Sequence, residues 1–192
     1  MRCMHGRIAA AGLPVVVLLA LSCHSAAAQR KAARTVAADS ARMAMFRDTS
    51  RSTFAPPGAR EYDLRRPAQR DTLRALLRKE QALWRKSRPS AYRFLLRVSC
   101  FCPGQQGWLL IEARDGAPLR AWDRMGRNTP LTDWTTFDID TLFANLLKST
   151  DRSSIVLIAM DRRRHFPEYV RSVFLPGPDA WSIIEVRGFR PT

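Results

Sequence analysis

Between Asp71 and Cys102 the spacing of apolar residues changes from that of a helix to that of a strand, and this switch constrains the fold most. Leu73, Leu76, Leu77, Leu83 and Trp84 recur at helical intervals, with Arg74, Arg78, Arg85 and Lys86 elsewhere on the wheel. Asp71 is placed to cap the helix start, and Pro89 ends it. From Tyr92 the period is two. Tyr92, Phe94, Leu96, Val98, Cys100 and Cys102 share one face, while Arg93, Arg97 and Ser99 share the other. That pattern is a half-buried strand, which must belong to a sheet covered on one side.

The same reading continues along the chain. Trp108 to Arg114 and Leu119 to Trp122 read as strands joined at the hairpin signal Asp115-Gly116. A second helix is expected after a Thr cap at Thr135 or Thr136, with Asp138 and Asp140 in its first turn, where the helix dipole favours negative charge. Ile139, Leu142, Phe143, Leu146 and Leu147 form its apolar stripe. Ile155 to Met160, Glu168 to Leu175 and Trp181 to Val186 follow as strands. Hairpin-length connections imply antiparallel pairing. The expected fold is therefore α+β: a single antiparallel six-stranded sheet with two helices packed on one face, in the order α-β-β-β-α-β-β-β.

The N-terminal region reads differently. Arg2 and Arg7 precede an uncharged stretch from Ile8 to Ser22, and Ala26, Ala27 and Ala28 follow. Charge, apolar stretch and A-x-A is the secretory pattern, so residues 1–28 read as a signal peptide cleaved between Ala28 and Gln29. The alternative is lipidation at Cys23 in a weak lipobox, where Ala20 stands in place of the preferred Leu. An uncleaved membrane span from Ile8 to Gln29 is a further rival, opposed by Pro14 and the small polar residues after Leu21. Residues 29–67 are poor in apolar residues and broken at Pro56-Pro57-Gly58, so a flexible basic linker is expected there. A chain beginning at Pro67 is expected to fold by itself. Residues 68–192 then form the α+β domain.

Signal removal lowers the net charge from +15 to +13, because residues 1–28 contain two Arg and no acid. Only four of the basic residues are Lys (31, 79, 86 and 148). Such a charge favours anionic surfaces, whether nucleic acid, lipid headgroups or cell-wall polymers. The positions are scattered rather than striped, however, and a solvated surface is the plainer reading.

The set of Trp84, Pro89, Tyr92-Arg93-Phe94, Ser99-Cys100-Phe101-Cys102-Pro103, the Asp115-Gly116 hairpin, Asp140-Thr141-Leu142-Phe143 and the strand ending at Asp161 resembles an uncharacterised family of exported bacterial proteins, domain-of-unknown-function family 6174. The resemblance spans roughly residues 71 to 190. It implies an export or lipoprotein signal and a small α+β domain, and it implies no activity. Where the family pattern has Gly-x-Pro after the fourth strand, this chain has His165-Phe166-Pro167.

Cys100 and Cys102 are the foremost candidates for chemistry, in an exported and oxidising setting. On an ideal strand their Cα atoms lie about 6.6 Å apart, too far for a disulfide unless the strand bends, and Pro103-Gly104 could supply the bend. A structural staple or buried thiol pair competes with a redox-active dithiol. A metal site is disfavoured, since no second Cys pair exists and His165 is the only histidine after the signal. Nothing places His165 beside a cysteine, so no Cys–His nucleophilic pair is indicated. Asp138 and Asp140 read as helix-start charges, and Asp161 and Glu168 as partners of Arg. Glycines 104, 107, 116, 126 and 177 read as turn residues. Trp84, Trp108, Trp122, Trp134 and Trp181 read as core and rim aromatics, with stacking on sugars or bases beside Arg114, Arg124 and Arg127 as the rival.

These features point to an exported, non-enzymatic domain of the periplasm, cell envelope or exterior that binds a protein or polymer, with a thiol-redox protein as the alternative. No catalytic residue, metal or cofactor is expected. The partners envisaged are an envelope protein or an anionic polymer. Specific nucleic-acid binding is not expected, and membrane association is expected only if Cys23 is lipidated.

Overall fold

Of the two helices read from the sequence, the first begins at Pro67 rather than at Asp71. In the computed structural model, α1 runs Pro67–Ser87 with a proline in its first turn, a position whose missing N–H costs nothing. The structure describes residues 40–50, 55–100, 107–132, 137–174 and 180–192. Met1–Ala41 group separately from Arg42–Thr192, and of the former only residues 40 and 41, both helical, are described. Among the described residues no helix is long and apolar enough to cross a membrane. The signal, its cleavage point and Cys23 lie outside the described residues.

Within Arg42–Thr192 the strands are β1 (Arg60–Asp63), β2 (Ala91–Cys100), β3 (Leu109–Arg114), β4 (Ala117–Trp122), β5 (Asn128–Thr129), β6 (Ser153–Asp161), β7 (Phe166–Phe174) and β8 (Trp181–Pro191). The second helix, α2, is Ile139–Ser149 and lies between β5 and β6. All eight strands form one sheet in the order β1-β6-β7-β8-β2-β3-β4-β5, and every pairing is antiparallel. The α+β class and the single antiparallel sheet hold. The six-strand count and the α-β-β-β-α-β-β-β order do not, because β1 precedes α1 and β5 follows β4. Both added strands are short and polar and take their place at the two sheet edges, where pairing with one neighbour suffices. β1 also corrects the linker: Tyr62 and Leu64, from the segment expected to be flexible, are buried in the core.

Tyr92, Phe94 and Leu96 of β2 pack in one buried cluster with Leu73, Leu77 and Trp84 of α1 and with Ile139, Leu142, Phe143 and Leu146 of α2. The helical stripe and strand alternation read from the sequence thus meet as one core. At its centre the Trp84 ring stands edge-on to Tyr92, Phe166 and Phe189, with centroids 5.4, 5.7 and 5.6 Å away. Trp84 Nε1 donates to Asp140 Oδ2 at 3.3 Å. Arg85 and Arg88 pair with the same carboxylate, so Asp140 ties α1 to α2. Asp138, rather than a threonine, caps α2, accepting from the Thr141 N–H at 2.9 Å. Thr135 and Thr136 lie outside the described residues. The Tyr92 hydroxyl donates to Asp138 at 3.4 Å, and burial, then Asp138 and Asp140, push its pKa up.

The Asp115-Gly116 signal folds as read. Both residues have positive φ, 52° and 83°, as a two-residue type I′ hairpin requires. His165 also has positive φ, 61°, the left-handed conformation that a glycine would adopt freely. Its Nδ1 lies 2.9 Å from Glu80 Oε2, which joins the β6–β7 turn to α1.

Candidate functional site

The second face of the sheet, turned away from both helices, carries the arginines that strand alternation excludes from the core. On β2 these are Arg93, between the buried Tyr92 and Phe94, and Arg97, between the buried Leu96 and the half-buried Val98. Two β-bulges decide which side chains join them. On β8 the register passes from Arg187 opposite Leu95 to Arg190 opposite Arg93, with Gly188 and Phe189 together facing Phe94. The extra residue changes the phase of the strand. Phe189 therefore enters the helix-side core, and Arg190 joins Arg187 on the second face. Gly188 carries the bulge at φ 58°, and a Cβ there would meet Leu95 at 3.6 Å and Met45 at 3.7 Å. The second bulge lies between β3 and β4, where Glu112 pairs with Arg120 and Ala113 with Pro118, leaving Leu119 over.

The two bulges converge on one patch. Arg190 lies opposite Arg93, Arg93 opposite Glu112, and Glu112 opposite Arg120. Arg114 follows two residues after Glu112 on the same face of β3. Four arginines thus surround one glutamate. Arg93 reaches Glu112 at 3.4 Å, and its Nε is shielded from solvent without a hydrogen-bond partner. Directly opposed like charges such as Arg93 and Arg190 destabilise a sheet.

The neighbouring rows on this face are closed. Glu185 is 1 % exposed and pairs with Arg97 and with Arg187, the latter at 3.1 Å. Arg97 and Arg187 lie over the Trp108 ring at 5.0 and 5.5 Å. Met45 and Phe46 cover Leu95, Leu110, Trp108 and Trp122, and Arg42 lies over the Trp122 ring at 4.7 Å. Trp108 and Trp122 are therefore buried beneath this segment and are not a free stacking surface. Trp134 lies outside the described residues.

A cleft of about 320 Å³ opens beside this face, lined in part by Asp161, Arg164, Glu168, Tyr169, Glu185 and Arg187. Asp161 accepts from the Arg163 and Arg164 N–H groups at 2.8 and 3.0 Å and pairs with Arg164, as expected of it. For Glu168 burial comes first and the nearby Asp161 second in raising the carboxyl pKa; Arg187 opposes them. The sign follows. A carboxyl whose folded pKa is raised holds its proton longer in the folded chain, so stability falls as pH rises through that window. Glu168→Gln is expected to raise Tm at neutral pH and to leave it unchanged well below the ordinary glutamate pKa of about 4.3. Thermal melts across that range check this, and an equal shift at both extremes would refute the protonation account.

Cys100 ends β2 opposite Ser182, half-buried, and is disulfide-bonded. Cys102 and Gly104 lie outside the described residues. His165 contacts Glu80, not a thiol. Among the described residues no group of three or more His, Cys, Asp or Glu is placed to hold a metal ion. Sequence reading singled out the cysteines and missed the arginine patch; Gly188 inside a strand was the one local sign of a bulge.

No curated protein and no solved structure matches the chain. A family model does match, over residues 76–171, which takes in the C-terminal half of α1, β2 to β5, α2, β6 and most of β7. The chain belongs to that family, DUF6174, a family of unknown function.

Proposed function

We propose that the mature chain is an exported, non-enzymatic module of the periplasm, envelope or exterior, and that its second sheet face binds an anionic envelope component, either polymer or protein. The observation that carries this reading is the arginine patch around Glu112, assembled by two bulges at a cost in like-charge repulsion. The order of charge, apolar stretch and A-x-A at residues 2–28 supports export. Cleavage after Ala28 is the expected processing, with a lipid anchor on Cys23 as the alternative.

The test has two parts. Intact mass of the protein recovered from its host should match a chain beginning at Gln29; a diacylated Cys23 would make it lipid-anchored. The mature protein should then be retained by its own envelope fraction and released by salt, since exposed charge contacts are screened. Retention that salt does not weaken, or none at all, would sink the anionic reading.

The disulfide at Cys100 favours one second reading, a thiol-redox protein using Cys100 with Cys102. A reduction potential near that of thioredoxin, about −270 mV, with fast alkylation of the reduced form near neutral pH, would support it. A much lower potential and a slow thiol would leave the bridge structural.

A further inference from the structure

We infer that the patch formed by Arg93, Arg114, Arg120 and Arg190 is a binding site for a linear phosphate chain; this rests on the binding-module reading and names its ligand chemistry. Arg190 and Arg93 are direct cross-strand partners, so their Cβ atoms lie about 5 Å apart. Two guanidinium groups that close can converge on one anionic group. A carboxylate has two oxygens and can offer one to each of two guanidinium groups, as Glu185 does for Arg97 and Arg187, which leaves it none to spare. A phosphate has further outward oxygens and can bridge two forks.

Glu112 already supplies a carboxylate between Arg93 and Arg120, yet it leaves an excess of positive charge and an unpartnered, shielded Nε on Arg93. A competing ligand must carry more charge than a second carboxylate. It must also carry that charge in more than one place. Arg120 stands two strands from Arg93, about 10 Å away, and Arg114 about 7 Å along β3 from Glu112. One anion cannot span these positions, but a chain of phosphates crossing the strands can. The patch is a face, not an enclosed pocket: Arg114, Arg120 and Arg190 are exposed. An open face suits a polymer that enters and leaves along the sheet.

The test uses the whole mature chain and titrates it with inorganic tripolyphosphate, orthophosphate, polygalacturonate, and phosphatidylglycerol or phosphatidylcholine vesicles. Tripolyphosphate should bind, with orthophosphate and polygalacturonate much weaker. The double variant R93Q/R190Q should lose about tenfold or more in affinity, since hydrogen bonds to charged groups are worth about 1.5–3 kcal/mol each. R152Q/R163Q, exposed turn arginines away from the patch, should bind as the parent does. Glu112→Gln should bind more tightly, because it frees Arg93 from an internal competitor and removes a negative charge from beside Arg120; a purely structural role for the cluster would not produce that gain. Cooperative melting, with R93Q/R190Q at or above the parent's temperature, establishes that the variants are folded. Tripolyphosphate binding that ignores R93Q/R190Q, or weakens in Glu112→Gln, would overturn the site. Equal affinity for polygalacturonate, or binding to phosphatidylglycerol vesicles alone, would overturn the phosphate chain while leaving an anion-binding module. Failure of every anionic probe would overturn both.

Discussion

Replacing Trp84 with Ala is expected to cost about 3–5 kcal/mol, the range for emptying a buried aromatic site. The ring is 1 % exposed and touches three strands' worth of aromatic partners: Tyr92 of β2, Phe166 of β7 and Phe189 of β8. These side chains are themselves buried and packed against one another, with Tyr92 and Phe189 stacked at 5.2 Å, so they cannot collapse into the space without losing their own contacts. The indole also donates to Asp140, which then retains only Arg85 and Arg88. Trp84→Phe separates the two contributions. It keeps most of the packing and loses the hydrogen bond, so about 1 kcal/mol beyond the volume change is expected. Urea denaturation at neutral pH measures both. A Trp84→Ala loss below about 1 kcal/mol would mean that the site relaxes and that the aromatic cluster is not the centre of the core.

Starting the chain at Pro67 is expected to be nearly as damaging. The sequence suggested the opposite, since residues 29–67 lack a periodic apolar face. In the structure this truncation removes β1, which pairs with β6 from Arg60 opposite Ile158 to Asp63 opposite Ile155. It also removes Tyr62 and the fully buried Leu64. Burying side chains of this size contributes about 1.5–3 kcal/mol each. Leu64 is held by its own hydrogen bonds: its N–H donates to Ser154 at 2.8 Å, and its carbonyl accepts from Arg70 at 2.7 Å. The truncation would expose the β6 edge, an unpaired template for aggregation. A chain beginning at Ala55 keeps β1 and loses, among the described residues, the contacts of Met45, Phe46 and Arg42 on the second face. The expected order of melting temperatures is full mature chain, then Ala55 start, then Pro67 start, with the last step the largest. Coincident melts for the Ala55 and Pro67 starts would show that β1 adds nothing to stability.

The sequence by itself determined the parts whose information is local. Leu73, Leu77 and Trp84 declare the buried stripe of α1. The alternation from Tyr92 to Val98 declares the core face of β2, and Asp115-Gly116 declares a hairpin because few other pairs accept two positive φ values. The family was legible for the same reason: its marks, from Trp84 to Asp161, are runs of neighbouring residues. What only the tertiary structure decided depends on a partner that local pattern cannot name. β1 and β5 are strands because β6 and β4 offer them ladders; Arg60-Glu61-Tyr62-Asp63 and Asn128-Thr129 have too little apolar periodicity to announce themselves. Asp138 caps α2 although threonines precede it, because the chain enters the helix at that point. Strand β8 continues to Pro191, beyond the reach of its simple alternation, since the bulge at Gly188 inverts the phase. That inversion sends Phe189 to Trp84 and Arg190 to Arg93. A period-two pattern assigns faces only while the register runs without interruption, and an inserted residue is defined by the strand it is inserted against. The arginine patch was therefore present in the composition as surplus charge and was assembled only when four strands, β8, β2, β3 and β4, were set side by side.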